Sequence, residues 1–231
     1  MTSNSYKTAF EKGLTILIGG HGSGKSEFAI MWSRRLIKVG RKPVTLVDLD
    51  TIKPLFRSQE ASNALKKEGI EVVISSVPHS DMPAISSTMF GMINNPDNWI
   101  VVDVGGDAVG ARILASIRNN LHGRDHNLIY ILNISRPFNS TTKASLKELK
   151  RIEIVSGMKV TGLVSNTHML DETDVEMIEK GIETAYEISE KEGIDFLGVM
   201  ATENMIELLK VPAELEIFTI QRMLNPYWMR D

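Results

Sequence analysis

Eight consecutive residues near the start of the chain have the types and the spacing that bind a phosphate group. They match the pattern G-x-x-x-x-G-K-[ST] and are Gly19, Gly20, His21, Gly22, Ser23, Gly24, Lys25 and Ser26. Glycines let the backbone curl so that successive N–H groups point inwards at an anion. Lys25 adds a point charge for the β- and γ-phosphates, and the Ser26 hydroxyl can coordinate Mg²⁺. The segment follows an apolar run and precedes a helical pattern, which is the context that a phosphate-binding loop (P-loop) requires.

A carboxylate at the end of a later apolar run supplies the second anchor that a metal-bound nucleotide needs. Asp103 lies near the end of residues 99–106 (WIVVDVGG), which finish with two glycines. If this run is a parallel strand, Asp103 lies at the sheet edge where ligands bind in open α/β sheets. Gly106 would let a backbone N–H approach the γ-phosphate closely. We therefore predict that Asp103 and Ser26 hold Mg²⁺ together.

Two further carboxylates, Asp48 and Asp50, end the apolar run at residues 43–50 (PVTLVDLD). Together, the P-loop, this D-x-D element and the D-x-G-G run resemble the ParA/MinD-like P-loop ATPases of the nitrogenase-iron-protein class. The resemblance implies that Asp50 lies near the attacking water and the metal shell, with Asp48 in support, so that Lys25 and Asp50 are the catalytic residues. It also implies ATP or ADP and Mg²⁺ as cofactors, slow ATP hydrolysis, and a homodimer that forms around ATP and acts on a protein partner.

The chain departs from that family in three ways. Most members carry an extra P-loop Lys that reaches the nucleotide of the dimer partner, and the aligned residue here is Gly20, so this contact is absent or supplied by another residue. The metal-cluster branches use a Cys pair, whereas this chain contains no Cys. The MinD branch ends in a basic membrane helix, whereas the end of this chain (IFTIQRMLNPYWMRD) has Arg222 and Arg230 as its only cations.

The identity of the base depends on the residues that follow a late apolar run. Asn166 ends this run, at the place where the base binds in the ParA/MinD-like class. A guanine reader of the N-K-x-D type needs a carboxylate to accept the guanine N–H groups, and the corresponding residue here is Met169. An Asn amide can instead pair with N6 and N7 of adenine. We therefore predict that the nucleotide is ATP and that Asn166 contacts the base. The resemblance implies that residues 201–204 line the other side of the base. The alternative is that Asn166 caps a turn.

The apolar runs that carry these residues are short, rich in β-branched residues and nearly continuous, which indicates parallel strands buried on both faces. Seven runs occur, at residues 14–20, 43–50, 71–75, 99–106, 128–134, 160–166 and 196–200. Helical patterns separate them at residues 26–39, 58–68, 83–94, 108–119, 141–157 and 172–192. This alternation predicts a three-layer, doubly wound α/β fold of the P-loop NTPase type, with a mostly parallel sheet of about seven strands. No linker or repeat divides the chain, so we expect residues 1–231 to form one domain.

The composition is typical of a globular protein. The 231 residues carry a net charge of −3, with 42% hydrophobic and 24% charged residues, which excludes a disordered chain and a strongly basic surface for nucleic acid. No apolar run reaches the roughly 18 residues of a membrane span. Residues 1–13 lack the apolar core of a signal peptide. We therefore expect a cytoplasmic location, without membrane or nucleic-acid binding.

Three functions remain open at this stage. The first is a nucleotide-operated switch, the second is an ATP-dependent small-molecule kinase or synthetase of the same fold class, and the third is an adaptor that binds ATP without hydrolysing it. The D-x-D element and the D-x-G-G run favour the switch. A transferase would need an acceptor pocket, for which residues 51–57 and 75–83 are candidates. Further candidates for phosphate or partner contacts are Arg57, Arg112 and Arg136.

Overall fold

A computed structural model describes residues 11–50, 59–74, 85–106, 108–121 and 123–220. Its strands are β1 (Leu14–Ile18), β2 (Val44–Leu49), β3 (Ile70–Ile74), β4 (Trp99–Val104), β5 (Asn127–Leu132), β6 (Gly162–Ser165), β7 (Asp195–Ala201) and β8 (Glu216–Thr219). Its helices are α1 (Lys25–Lys38), α2 (Gln59–Lys67), α3 (Ser87–Asn94), α4 (Ala108–Asn120), α5 (Thr142–Ser156), α6 (Val175–Glu192) and the short α7 (Glu203–Ile206). The six helical patterns of the sequence correspond to α1 to α6.

The eight strands form one sheet in the order β3-β2-β4-β1-β5-β6-β7-β8, and every neighbouring pair is parallel. All carboxyl ends therefore lie at one edge of the sheet. The chain moves from β1 outwards to β2 and β3, returns to β4 beside β1, and then continues on the other side through β5. The loop after β1 is consequently at the point where the strand order reverses, which is where ligands bind in open α/β sheets.

Helices cover both faces of this sheet, which gives the predicted three layers. Apolar residues of α1 and α2 pack on one face, among them Phe28, Trp32 and Leu65. Residues of α3 to α6 pack on the other face, among them Met89, Ile113, Leu149 and Ile182. Every residue of β1, β2 and β5 is buried, which explains why these runs are apolar without alternation. The prediction of a three-layer, parallel α/β fold is confirmed.

The sheet has one strand more than the sequence indicated. The additional strand is β8, which pairs with β7 at the edge and which the sequence analysis assigned to the C-terminal tail. Its Phe218 packs against Phe28 and Trp32 of α1, with ring centroids 5.2 and 6.1 Å apart. A four-residue strand with one fully packed side chain lacks the long apolar run that marks the central strands. Residues 221–231 lie outside the described part of the chain.

Across the described ranges, no helix combines the length and the hydropathy needed to cross a bilayer.

Candidate functional site

The P-loop joins β1 to α1 at the carboxyl edge of the sheet. Gly24 precedes the first turn of α1 with a φ of 89°, a left-handed conformation that favours glycine, and no side chain caps the helix there. The loop is tightened by the Ser23 N–H, which donates to the Gly20 carbonyl at 3.2 Å. The first N–H groups of an α-helix have no carbonyl partner within the helix, and they lie at the positive end of the helix dipole. This arrangement suits an anion such as phosphate.

Lys25 is held inside the loop. Its side chain is buried, and Nζ donates to the carbonyl oxygens of Gly19 and Gly20 at 3.2 and 3.0 Å. A buried ammonium group needs such acceptors because its desolvation is costly. Phosphate oxygens are stronger acceptors for the same group, because a hydrogen bond between two ions is stronger than one to a neutral carbonyl. The amine therefore lies where it can exchange loop carbonyls for a phosphate.

Ser26 and Asp103 form the second part of the site. The Ser26 hydroxyl donates to Asp103 Oδ2 at 2.5 Å, and the carboxylate is 1% exposed. Its other oxygen, Oδ1, is buried and has no hydrogen-bond partner among the described residues. Burial raises the pKa of Asp103 to about 6, an effect that Asp50 increases and that Lys25 and the Ser26 hydrogen bond oppose. Asp103 Oδ1 could therefore accept a hydrogen bond or coordinate a cation.

A magnesium ion fits this donor set. Mg²⁺ prefers hard oxygen ligands such as carboxylates and hydroxyls, and Asp103 Oδ1 is a buried carboxylate oxygen without a partner in the described part of the chain. Among the described residues, no three His, Asp or Glu side chains are placed to hold a metal ion by themselves. Mg²⁺ usually takes only one or two protein ligands and completes its shell with water and substrate phosphates. Ser26 and Asp103 are the residues that would hold it here.

The D-x-D element brings two more carboxylates to the same edge. Asp48 lies opposite Asp103 in the register of β2 and β4, and its side chain is buried. Its Oδ1 accepts a hydrogen bond from the Asp50 N–H at 2.9 Å, so it fixes the turn that ends the strand. Asp50 is half-buried, and its charge raises the pKa of Asp103. The structure therefore brings Asp50 within electrostatic reach of Asp103, and the supporting role of Asp48 in the site stays a prediction.

The end of β4 touches the P-loop directly. A Cβ atom on Gly106 would lie 2.7 Å from the His21 nitrogen and 2.8 Å from the Gly19 carbonyl oxygen. Such distances leave no room for a side chain, so only glycine allows this approach. The approach of a Gly106 N–H to a γ-phosphate stays a prediction. The contact that the structure describes is with the loop backbone.

Asn166 lies on the opposite side of the loop and is turned towards it. Its side chain is 1% exposed, and Nδ2 donates to the Ser23 carbonyl at 2.7 Å. A Cβ atom on Gly24 would lie only 2.0 Å from this nitrogen. One of the two amide hydrogens therefore braces the P-loop, while Oδ1 is buried without a partner among the described residues. The role of Asn166 in base recognition stays a prediction.

Further along the same segment, Met169 and Leu170 face outwards. Met169 is 36% exposed and Leu170 is 39% exposed. Between Asn166 and these residues, His168 accepts a hydrogen bond from the Leu170 N–H at 3.4 Å through Nδ1. The predicted second wall of the base site, residues 201–204, ends β7 and begins α7, and its Thr202 hydroxyl donates to Asn204 Oδ1 at 2.6 Å.

Two P-loop contacts come from the segment after β5, and the sequence analysis did not place them. Arg136 donates through Nε to the Gly22 carbonyl at 3.0 Å. Asn139 is fully buried, and its Nδ2 lies 3.0 Å from the position of a Cβ atom on Gly20. The only signal in the sequence was that a strand beside β1 must end at the same edge as the P-loop. Arg136 is one of the three arginine candidates named above, whereas no motif in the sequence points to Asn139.

The remaining candidates do not join the site in the described part of the chain. Arg112 is exposed on α4. Those that lie outside the described residues are Arg57, the two candidate acceptor segments at residues 51–57 and 75–83, and the two cations of the tail, Arg222 and Arg230.

The chain matches no protein-family model and no curated protein. Its structure is similar to that of cell division protein FtsY from Thermotoga maritima, with 17% identity and a TM-score of 0.51 over 82% of this chain and 62% of that one. It is also similar to chloroplast FtsY from Physcomitrella patens, with 16% identity and a TM-score of 0.54 over 86% and 65%. A third similar structure is the signal recognition particle receptor FtsY from Elizabethkingia anophelis in complex with GDP, with 15% identity and a TM-score of 0.55 over 83% and 58%.

At these identities the similarity concerns the fold alone. The chain spans less than two thirds of the length of each of these three FtsY structures. The similarity does not single out the ParA/MinD-like family, which stays a hypothesis. The parallel sheet, the P-loop at its strand-order reversal and the three FtsY structures together show that this chain has the fold of the nucleotide-binding P-loop proteins.

Proposed function

We propose that this protein binds ATP with Mg²⁺ in its P-loop, hydrolyses it slowly, and uses the change of nucleotide as a switch for a protein partner. The observation that carries the proposal is the pairing of two buried groups at the sheet edge. The Lys25 amine donates to loop carbonyls, and Asp103 bonds Ser26 while its second oxygen lacks a partner among the described residues. A magnesium-bound polyphosphate would satisfy both.

The protein groups have distinct roles in this proposal. The N–H groups at the start of α1 and the Lys25 amine bind the phosphate chain. Ser26 and Asp103 hold Mg²⁺, which when bound neutralises charge on the phosphates. Asp50 orients the attacking water, the role implied by the ParA/MinD-like resemblance and supported by its charge acting on Asp103. Because phosphoryl transfer depends mainly on positioning and charge, few side chains are needed.

Adenine is the proposed base. Guanine presents two N–H donors that a carboxylate normally accepts, and the residue at the corresponding position is the half-exposed, apolar Met169. A guanine there would leave its donors without a charged acceptor, which costs affinity. We propose that ATP is therefore preferred over GTP.

The switch is supported by the contact between Gly106 and the P-loop. A Cβ atom on Gly106 would clash with the His21 nitrogen and the Gly19 carbonyl, so the Gly106 backbone lies close to the P-loop. Gly106 is two positions before the first residue of α4. A γ-phosphate bound at the loop would compete for the space and the N–H groups at this contact. Gain and loss of the γ-phosphate would then move the beginning of α4, which offers a surface to a partner or to a second copy of the chain.

The test is binding followed by turnover. Calorimetric titration with ADP and with a non-hydrolysable ATP analogue, with and without Mg²⁺, measures the first step. Slow phosphate release from ATP alone supports the switch. Binding without release would indicate an adaptor, and release only after a small-molecule acceptor is added would indicate a kinase or synthetase. Absence of nucleotide binding would refute the proposal.

A further inference from the structure

The segment that follows β5, residues 133–141, forms a second wall beside the P-loop, and we name it the β5 loop. It leaves the sheet at the same edge because β5 is parallel to β1, with Tyr130 opposite Ile18. A single 3-10 turn, Pro137–Asn139, shapes its centre. The loop is tied back on itself by the Asn133 side chain, which accepts from the Ser135 N–H at 2.9 Å. This loop is therefore a defined structure that faces the P-loop.

Asn139 anchors the β5 loop and fills the space next to Gly20. Its Oδ1 accepts the Tyr130 hydroxyl at 3.0 Å, and burial raises the pKa of that phenol, so it remains a donor. Its backbone carbonyl accepts the Ser145 hydroxyl at 3.0 Å. Any side chain at position 20 would begin 3.0 Å from Asn139 Nδ2, which is too close without a shift of Asn139. A Lys at position 20 would therefore require Asn139 to move by a few tenths of an ångström.

Arg136 brings a positive charge to the rim of the same loop. Its Nε donates to the Gly22 carbonyl at 3.0 Å, so the guanidinium lies against the loop that we propose binds phosphate. The two Nη atoms make no hydrogen bond or ion pair with any described residue. A guanidinium presents several donors in one plane and can bond a carbonyl and a phosphate oxygen at the same time.

We infer that Arg136 is a second phosphate-binding cation of the nucleotide site, supplied by the same chain. The Asn139 N–H donates to the Arg136 carbonyl at 2.9 Å, so the anchored turn fixes the backbone from which Arg136 extends. Nε keeps the Gly22 carbonyl, and the Nη atoms donate to oxygens of the nucleoside triphosphate. The inference rests on the proposed nucleotide site. With Arg136 in this role, a P-loop that has glycine at position 20 obtains its second cation from the same chain and not from a dimer partner.

The first experiment compares Arg136→Ala and Arg136→Lys with the wild type. The ligands are a non-hydrolysable ATP analogue and inorganic tripolyphosphate, which lacks base and ribose. Arg118→Ala removes an exposed arginine of α4 and serves as the control. We expect Arg136→Ala to lower the affinity for both ligands by about tenfold or more, in line with the loss of one charge-assisted hydrogen bond. Arg136→Lys should restore at least half of the loss in log Kd. Arg118→Ala should bind both ligands with the affinity of the wild type.

The outcomes separate the inference from the proposed function. If the wild type binds no nucleotide, the proposed function itself fails. If the wild type binds nucleotide but the affinity of Arg136→Ala for both ligands stays within threefold of the wild-type affinity, Arg136 does not contact phosphate. Equal losses in the Ala and Lys variants, with unchanged circular dichroism, would mean that Arg136 only shapes the loop through Gly22, and this also overturns the inference.

A mixing experiment tests whether the arginine acts within one chain. Arg136→Ala retains Lys25, and Lys25→Ala retains Arg136. If Arg136 served the nucleotide of a second copy, mixed dimers would contain one complete site, and ATP hydrolysis would recover on mixing. We expect the mixture to remain as inactive as the sum of the two variants over a range of protein concentrations. Recovery above that sum would refute supply from the same chain.

Discussion

The two ends of the candidate site differ in what forms them. At the phosphate end, the loop backbone makes most of the contacts, such as the carbonyls that hold Lys25 and the close approach of Gly106 to His21. At the base end, the candidate contacts are side chains, and Asn166 is turned inwards to Ser23. The proposed phosphate binding thus depends on backbone geometry, which a short motif specifies. Recognition of a base depends on a few side chains on loops, which the fold leaves free to vary.

The largest expected effect is the loss of phosphate binding in Lys25→Ala. The amine is the buried cation of the loop, and a charged hydrogen bond to phosphate contributes about 1.5–3 kcal/mol. With at least two such bonds lost, we expect Mg-ATP affinity to fall by about 100-fold or more. Titration with a fluorescent ATP analogue measures the change. Lys38→Ala, at the exposed end of the same helix, should bind like the wild type. Near-normal binding by Lys25→Ala would show that nucleotide does not bind at the phosphate end.

The second prediction separates two carboxylates within the phosphate end. Asp103→Ala removes the buried oxygen proposed for Mg²⁺, so we expect it to abolish the gain in nucleotide affinity that Mg²⁺ provides. Asp50→Ala should retain this gain in affinity. Its hydrolysis rate should fall by about 100-fold, because the attacking water is no longer held in position. Affinity with and without Mg²⁺ and phosphate release measure the two effects.

The two variants are controls for each other, because each removes one carboxylate from the same edge. Hydrolysis at the wild-type rate by Asp50→Ala would contradict the ParA/MinD-like role of this residue. The kinase or synthetase hypothesis would then take precedence over the switch.

The same contrast explains which features could be predicted from sequence. The central strands are buried on both faces, so continuous apolar runs revealed them, and the P-loop is a contiguous motif in that context. By contrast, β8 is a short edge strand. Arg136 contacts Gly22 across 114 positions of sequence, and Asn166 contacts Ser23 across 143. A local pattern indicates that such a side chain is polar and at the right edge, but it does not determine whether the side chain faces a ligand or the loop.

The third prediction addresses the base end. If the apolar residue at position 169 is the reason for adenine preference, the wild type should bind ATP at least about tenfold more tightly than GTP, a difference of roughly 1.4 kcal/mol. Met169→Asp supplies the missing carboxylate and should shift the ATP-to-GTP ratio several-fold towards GTP. Met169→Asn is the control, because it has a similar size without the charge. Competition binding gives the ratios. An unchanged ratio in Met169→Asp, or an initial preference for GTP, would show that the base lies elsewhere or is read by other residues.

The smallest expected effect is a pH dependence with opposite signs for binding and for stability. Burial raises the pKa of Asp103 to about 6, above the value of about 3.9 for an exposed Asp. Below about pH 6 the protonated form is therefore favoured in the nucleotide-free fold, and the free energy of unfolding should fall as the pH rises from about 4 to 6. Mg²⁺ requires the ionised form, so the Mg-dependent part of ADP affinity should rise with pH, by about twofold between pH 6 and 7. Asp103→Asn removes the titrating group, so both trends should disappear in this variant, whereas trends that persist would belong to another group. Chemical denaturation and calorimetry at matched pH values measure the two quantities, and parallel rather than opposite trends would contradict the assignment of Asp103 to the metal.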